Sequence, residues 1–131
     1  MAARYEVYKC EECGNIVMVL HGGAGELVCC GQPMVKMEEK SAEMKTEKHV
    51  PVVEETEEGV RVFVGSTEHP MTEEHYIEWI AVFGGGEHHI KFLEPGQKPE
   101  AVFNFKGEVE GVLEYCNLHG LWINSLNEDN V

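Results

Sequence analysis

From residue 49 onward the chain repeats one pattern: a short run rich in Val, Ile, Phe, Tyr and Trp, then a break of glycine, proline or charge. The runs are HVPVVEE (49–55), GVRVFVG (59–65), HYIEWIAVF (75–83), HHIKFL (88–93), EAVFNF (100–105), GVLEYC (111–116) and LWINSL (121–126). The breaks include GGG at 84–86, EPGQKP at 94–99 and KGE at 106–108. Branched and aromatic residues bounded by turn formers predict strands. Seven of them at a spacing of roughly ten residues predict an antiparallel, immunoglobulin-like β-sandwich. No long helical period and no internal repeat interrupts the pattern, so the fold class is all-β. The tail NEDNV is expected to fray.

Upstream the pattern differs. Residues 1–36 hold four of the five cysteines and only short apolar runs, the longest being IVMVL at 16–20. A chain this short buries too little to be stable alone and needs a staple, either a metal or a partner copy. The charged stretch EEKSAEMKTEK (38–48) reads as a linker or exposed loop. Two domains are therefore expected, residues 1–37 and 38–131.

Charge narrows the function. The net charge is −14, and residues 37–131 carry most of it, with 20 acidic against seven basic side chains. Such a surface repels nucleic acid and anionic membranes. No apolar run approaches the roughly 18 residues needed to cross a bilayer. The opening MAARYEVYKCEECG lacks the apolar core of a secretory signal. A cytoplasmic location is expected. There thiols stay reduced, so clustered cysteines point to metal or redox chemistry.

The cysteines are Cys10-Glu-Glu-Cys13, and then Cys29-Cys30-Gly-Gln-Pro. The first pair is a knuckle whose tight turn Gly14 eases. The second pair is adjacent, and neighbours on an extended chain face opposite ways. Both reach one ion only if the backbone bends sharply, and Gly31 and Pro33 stand where that bend is needed. The spacing admits structural zinc, iron, or thiols or a disulfide, with zinc the commoner use of such pairs.

Seven histidines occur. His21 lies in a glycine-rich tip, and His88 and His89 alternate on one short strand; these three are read as ordinary surface or packing residues. His49, His69, His75 and His119 all fall at strand ends or in loops, where a sandwich gathers its binding groups. His75 leads a strand whose alternate residues Ile77, Trp79, Ala81 and Phe83 form an apolar face. The remaining cysteine, Cys116, stands three residues before His119. Four imidazoles and a thiolate make five donors and leave one octahedral position open. That suits iron better than zinc, and the open position implies chemistry.

The segments CEECG, VCCGQPM, EKHVPV, HPMTEEHYIEW and YCNLHGLW, in this order, resemble desulfoferrodoxin, the two-iron superoxide reductase family, across nearly the whole chain. The resemblance implies a small desulforedoxin-like domain with iron on Cys10, Cys13, Cys29 and Cys30. It implies a second iron in the sandwich, with His49, His69, His75 and His119 in its equatorial plane and Cys116 axial. It further implies one-electron reduction of superoxide to hydrogen peroxide, re-reduction by an external donor such as a rubredoxin, and a homodimer. The family's glutamate–lysine pair maps onto Glu47 and Lys48. Glu47 would occupy the open position after oxidation, and Lys48 would offset the repulsion that the acidic surface exerts on an anion. Two other readings remain: an electron carrier built on the four cysteines, which leaves the histidines unexplained, and a zinc-stapled interaction module.

Overall fold

The computed structural model describes residues 2–40, 49–65 and 68–126. The chain divides into two compact units, residues 1–38 and 39–131, and the described residues contain strands and no helix.

In the first unit, β1 (Val7–Lys9), β2 (Ile16–Met18) and β5 (Val35–Lys36) form a sheet in the order β2-β1-β5. A separate ribbon pairs β3 (Val28–Cys29) with β4 (Gln32–Pro33). The apolar side chains buried here are Val7, Val19 and Cys10, while Leu20, Val28 and Val35 face solvent. So thin a core does not offset the chain entropy lost on ordering it, and the cysteines must supply the difference. The knuckle closes through Gly14 N to Cys10 O (2.9 Å) and Cys10 N to Asn15 O (2.8 Å), with Gly14 at φ +87°. The bend that turns Cys29 and Cys30 to one side lies at Cys30 (φ +53°) and Gly31 (φ +75°). Pro33 sits inside β4 and takes no part in it. A left-handed backbone at a residue with a side chain is uncommon, and here it is what brings adjacent thiols together.

The second unit packs two sheets face to face. One is β10 (Glu87–Phe92), β9 (Ile77–Gly84), β12 (Gly111–Cys116), β13 (Gly120–Ser125) and β6 (Glu39–Lys40), in that order. The other is β11 (Glu100–Phe103), β8 (Val60–Val64) and β7 (Pro51–Glu55). β8 alternates cleanly: Val60, Val62 and Val64 are buried, and Arg61 and Phe63 point away from the core. Ile77, Ile80, Val82, Ala101, Phe103, Phe105 and Val112 join them in the core, and Cys116 belongs to it. β12 is central, paired with both β9 and β13, and all six of its residues are buried. Glu114 is among them. Neither of its carboxylate oxygens has a hydrogen-bond partner among the described residues, and burial pushes its pKa well above the ordinary carboxylate range. Among the described residues the strand pairs are antiparallel except one: β6 runs parallel to β13. The stretch read as a linker from residue 38 therefore begins as an edge strand. Its remainder, 41–48, lies outside the described residues, as does the tail 127–131.

Alternating strand direction places the starts of β7, β9 and β13 and the ends of β8 and β12 on one rim. Pro51 pairs with Val64, and Cys116 pairs with both Ile77 and Gly120. His49, His69, His75, Cys116 and His119 all flank those strand ends.

Candidate metal centres

The first constellation is Cys10, Cys13, Cys29 and Cys30, whose sulfurs all lie within 4.8 Å of one another. Cys13 Sγ is 3.6 Å from Cys29 Sγ, and Cys29 Sγ is 3.9 Å from Cys30 Sγ. A tetrahedral ion with metal–sulfur bonds near 2.3 Å sets its sulfurs about 3.8 Å apart, so the observed spacings bracket the required one. Without a cation the four thiols cannot all ionise. The backbone N–H of Cys13, helped by that of Glu12, lowers Cys10 to about 7. The sulfurs of Cys13, Cys29 and Cys10 push Cys30 up to about 12. A bound metal cation removes that conflict by compensating the accumulated negative charge.

The second constellation is built from five separated positions. The rings of His49, His69, His75 and His119 form a square. Successive centroids are 4.8 Å (49–69), 4.7 Å (69–75), 5.0 Å (75–119) and 4.7 Å (119–49) apart, and each adjacent pair is close to perpendicular, at 71–82°. The diagonal pair His49 and His75 stands 6.2 Å apart and nearly parallel, at 27°. Four rings set edge to face in this way, as a pinwheel, surround one common space, and the donor atoms that converge within 4.8 Å there are those of His49, His75, His119 and Cys116, with His69 outside that set. His49 Nε2 lies 3.0 Å from His119 Nδ1. Two nitrogens bound at right angles to an ion at about 2.1 Å would be spaced that way. Cys116 Sγ lies 3.9 Å from His119 Nδ1, and the donor atoms of His49, His75, Cys116 and His119 all fall within 4.8 Å of one another.

Local chemistry sets the protonation of this set. His69 Nδ1 is 2.7 Å from the Pro70 carbonyl, which can only accept, so Nδ1 carries the proton and Nε2 the lone pair. Burial, then the neighbouring His69, His119 and His75 rings and Lys40, hold His49 down at about 4, so it is neutral at physiological pH. Burial raises the Cys116 thiol, partly countered by the backbone N–H groups of Leu118 and His119. It therefore waits as a thiol until a metal displaces its proton. His49, His69 and Cys116 are buried and His119 is exposed, so solvent reaches one side of the square.

The two loops that carry these residues are locked together by Asn117. Its Oδ1 accepts from Tyr76 N (2.9 Å), its Nδ2 donates to Glu74 O (3.1 Å), and its backbone N–H donates to Tyr76 O (3.2 Å). Thr72 Oγ1 accepts from His75 N (3.1 Å) and tightens the turn before β9. Asn117, Trp122 and Lys40 all touch this region and escape a reading of the sequence, because none is a metal-binding residue type. The sole available signal for Asn117 was its place between Cys116 and His119.

The other candidates fall elsewhere. His88 stacks on Phe83 (5.4 Å, 14°), His89 meets Glu87 at 2.7 Å and Phe105 edge-on at 5.0 Å, and His21 is exposed. None joins either constellation among the described residues. Glu47 and Lys48 lie outside the described residues.

Comparison with known proteins matches residues 41–125 to the family model described as desulfoferrodoxin and residues 2–37 to the desulfoferrodoxin N-terminal domain. The chain belongs to the desulfoferrodoxin family. Relatives named desulfoferrodoxin occur in Syntrophotalea carbinolica (57% identity) and Nitratidesulfovibrio vulgaris (54%). Each match covers 93% of this chain and 97% of the relative. A superoxide reductase of Pyrococcus horikoshii is 40% identical, covering 71% of this chain and 97% of its own. The crystal structure of the superoxide reductase from Treponema pallidum superimposes with a TM-score of 0.79 at 28% identity, covering 95% of this chain and all of that one. Desulfoferrodoxin membership and the two donor sets agree on one architecture: a desulforedoxin-like four-cysteine domain followed by a β-sandwich with a histidine–cysteine centre.

Proposed function

We propose that this chain is a superoxide reductase that converts superoxide, one electron and two protons into one hydrogen peroxide at a ferrous centre in the sandwich. The observation that carries the reading is the pinwheel of four imidazoles beside the buried Cys116 thiol. His49, His69, His75 and His119 would hold the iron through neutral nitrogens, and Cys116 through its thiolate. That donor set contributes one negative charge, so a ferrous centre keeps a net positive charge that favours an anionic substrate. Bound iron supplies the single electron, and a thiolate donor enriches its electron density.

The chain's own residues do the rest. The Pro70 carbonyl holds the His69 tautomer, Asn117 ties the His75 turn to the Cys116 loop, and burial excludes water from the Cys116 side while the His119 side stays open to proton-bearing solvent. Lys48 is assigned the cation that offsets the acidic surface, and Glu47 the carboxylate that would bind the iron in its oxidised form. Both assignments rest on the sequence segment Glu47-Lys48-His49. Residues 1–37 form the four-cysteine iron domain and residues 38–131 the catalytic one. Turnover needs an external reductant, for which a small electron-transfer protein such as a rubredoxin is suited. The protein is proposed to act as a homodimer in the cytoplasm. Titrating the ferrous protein with a known pulse of superoxide tests the reaction. A reductase yields one peroxide per superoxide consumed and per iron oxidised, whereas one peroxide per two superoxides would make it a dismutase and end this reading.

A further inference from the structure

His119 enters the square from a tight reversal in which Cys116 pairs with Gly120, and Gly120 adopts φ +89°. A residue on so short a loop keeps its ring in place only if its own peptide is held. The His119 carbonyl receives two donors from outside the loop: Lys40 Nζ at 2.9 Å and Trp122 Nε1 at 3.2 Å. Lys40 comes from β6, 79 positions earlier in the chain, and the parallel pairing Leu121↔Glu39 and Trp122↔Lys40 sets its reach. Its ammonium lies 5.6 Å from the centre of the Trp122 ring, close enough for a cation–π attraction. The Trp122 ring in turn lies against the His49 imidazole, 4.8 Å away and 22° from parallel. One carbonyl, one ammonium and one indole therefore join His119 and His49, two adjacent corners of the square.

A neutral donor would hold a carbonyl. An ammonium makes a charge-assisted bond, roughly twice as strong as a neutral one, and places a positive charge beside the centre in a protein of net charge −14. Groups that orient metal-binding residues from the outside change metal affinity by 10–100-fold when removed. A positive charge near a metal favours its reduced state and attracts an anion over about a Debye length, ~10 Å at 0.1 M salt.

We infer that Lys40 is a positioning residue for the His49–His119 edge of the iron centre, acting with Trp122, and that its ammonium supplies part of the positive potential that draws superoxide to the site. The positioning half stands on geometry alone, and the steering half rests on the superoxide reading.

The test uses the iron-loaded full chain and three variants. Lys40→Met removes charge and donor at similar bulk, Lys40→Arg keeps both, and Trp122→Phe keeps the aromatic stack and removes the N–H. Iron release to excess chelator, followed by loss of the thiolate-to-iron absorption, is expected to be about 10–100-fold faster in Lys40→Met. Release should be faster in Trp122→Phe too, and near wild type in Lys40→Arg. The midpoint potential of the centre should fall in Lys40→Met alone. Its second-order rate with superoxide should be lower at low ionic strength and converge on wild type as salt rises. Wild-type release and potential in Lys40→Met would overturn the positioning role. Equal loss of rate in Lys40→Met and Lys40→Arg, or a deficit that salt does not erase, would overturn the steering role. A wild-type protein that leaves superoxide untouched would instead defeat the functional reading, while the release and potential measurements still decide the brace.

Discussion

Replacing His69 with alanine decides how many donors the sandwich centre uses. The donor atoms of His49, His75, Cys116 and His119 already lie within 4.8 Å of one another, enough for a four-coordinate site that ignores His69. Yet His69 is 1% exposed, its ring meets His49 and His75 edge-on, and the Pro70 carbonyl fixes its Nδ1 as the protonated atom. Those are the marks of a donor whose outer nitrogen is anchored so that the inner one can bind. Four-donor protein sites bind metal with about 10–16 kcal/mol, or roughly 3 kcal/mol per donor, and at 1.4 kcal/mol per tenfold the loss of His69 should weaken ferrous iron binding about 100-fold. Anaerobic chelator competition reads this directly. The four-cysteine iron in the same molecule serves as an internal control and should keep its affinity. The His69→Ala sandwich should also lose stability from the void, so melting of the metal-free protein is measured alongside. An affinity within about threefold of wild type, at a ratio of one iron per site, would refute the five-donor set and leave a four-donor site in its place.

Asn117→Ala removes two of the three bonds between the metal-binding loops, costing about 1–3 kcal/mol and broadening the thiolate-to-iron absorption; an unaltered spectrum and melting temperature would count against the clamp. For Glu114, the raised folded-state pKa means that the folded protein holds a proton which the unfolded chain gives up above its ordinary value, so stability falls as pH rises beyond about 4.5. Glu114→Gln should therefore melt higher than wild type at pH 7, with the advantage gone at and below pH 4.5, as scanning calorimetry across that range would show. Stripping the metal from Cys10, Cys13, Cys29 and Cys30 should abolish amide-exchange protection in residues 2–38 while β9 and β12 stay protected, since that unit buries little more than Val7, Val19 and Cys10.

How much of this was legible beforehand follows from what each feature depends on. The strands were readable because branched and aromatic residues bounded by glycine and proline act locally. β8 and β12 sit within a residue of the stretches that announced them. The four-cysteine set was readable because two of its pairs are local in the chain, and the histidines stood out through their places at strand ends. The bend at Cys30 was not readable, since no composition rule puts a left-handed backbone on a cysteine in preference to the glycine beside it. Nor was β6, a charged stretch that becomes a strand only because β13 offers an edge.

The sequence by itself determined the kinds of donor, their order and the sandwich that carries them, because residue type and alternation are properties of neighbours along the chain. Tertiary structure alone decided the pinwheel, the tautomer of His69, the burial of Glu114, and the meeting of Lys40, Trp122 and Asn117 with the metal-binding loops. Each of these depends on sheet register bringing together groups tens of residues apart, and no local pattern encodes that distance.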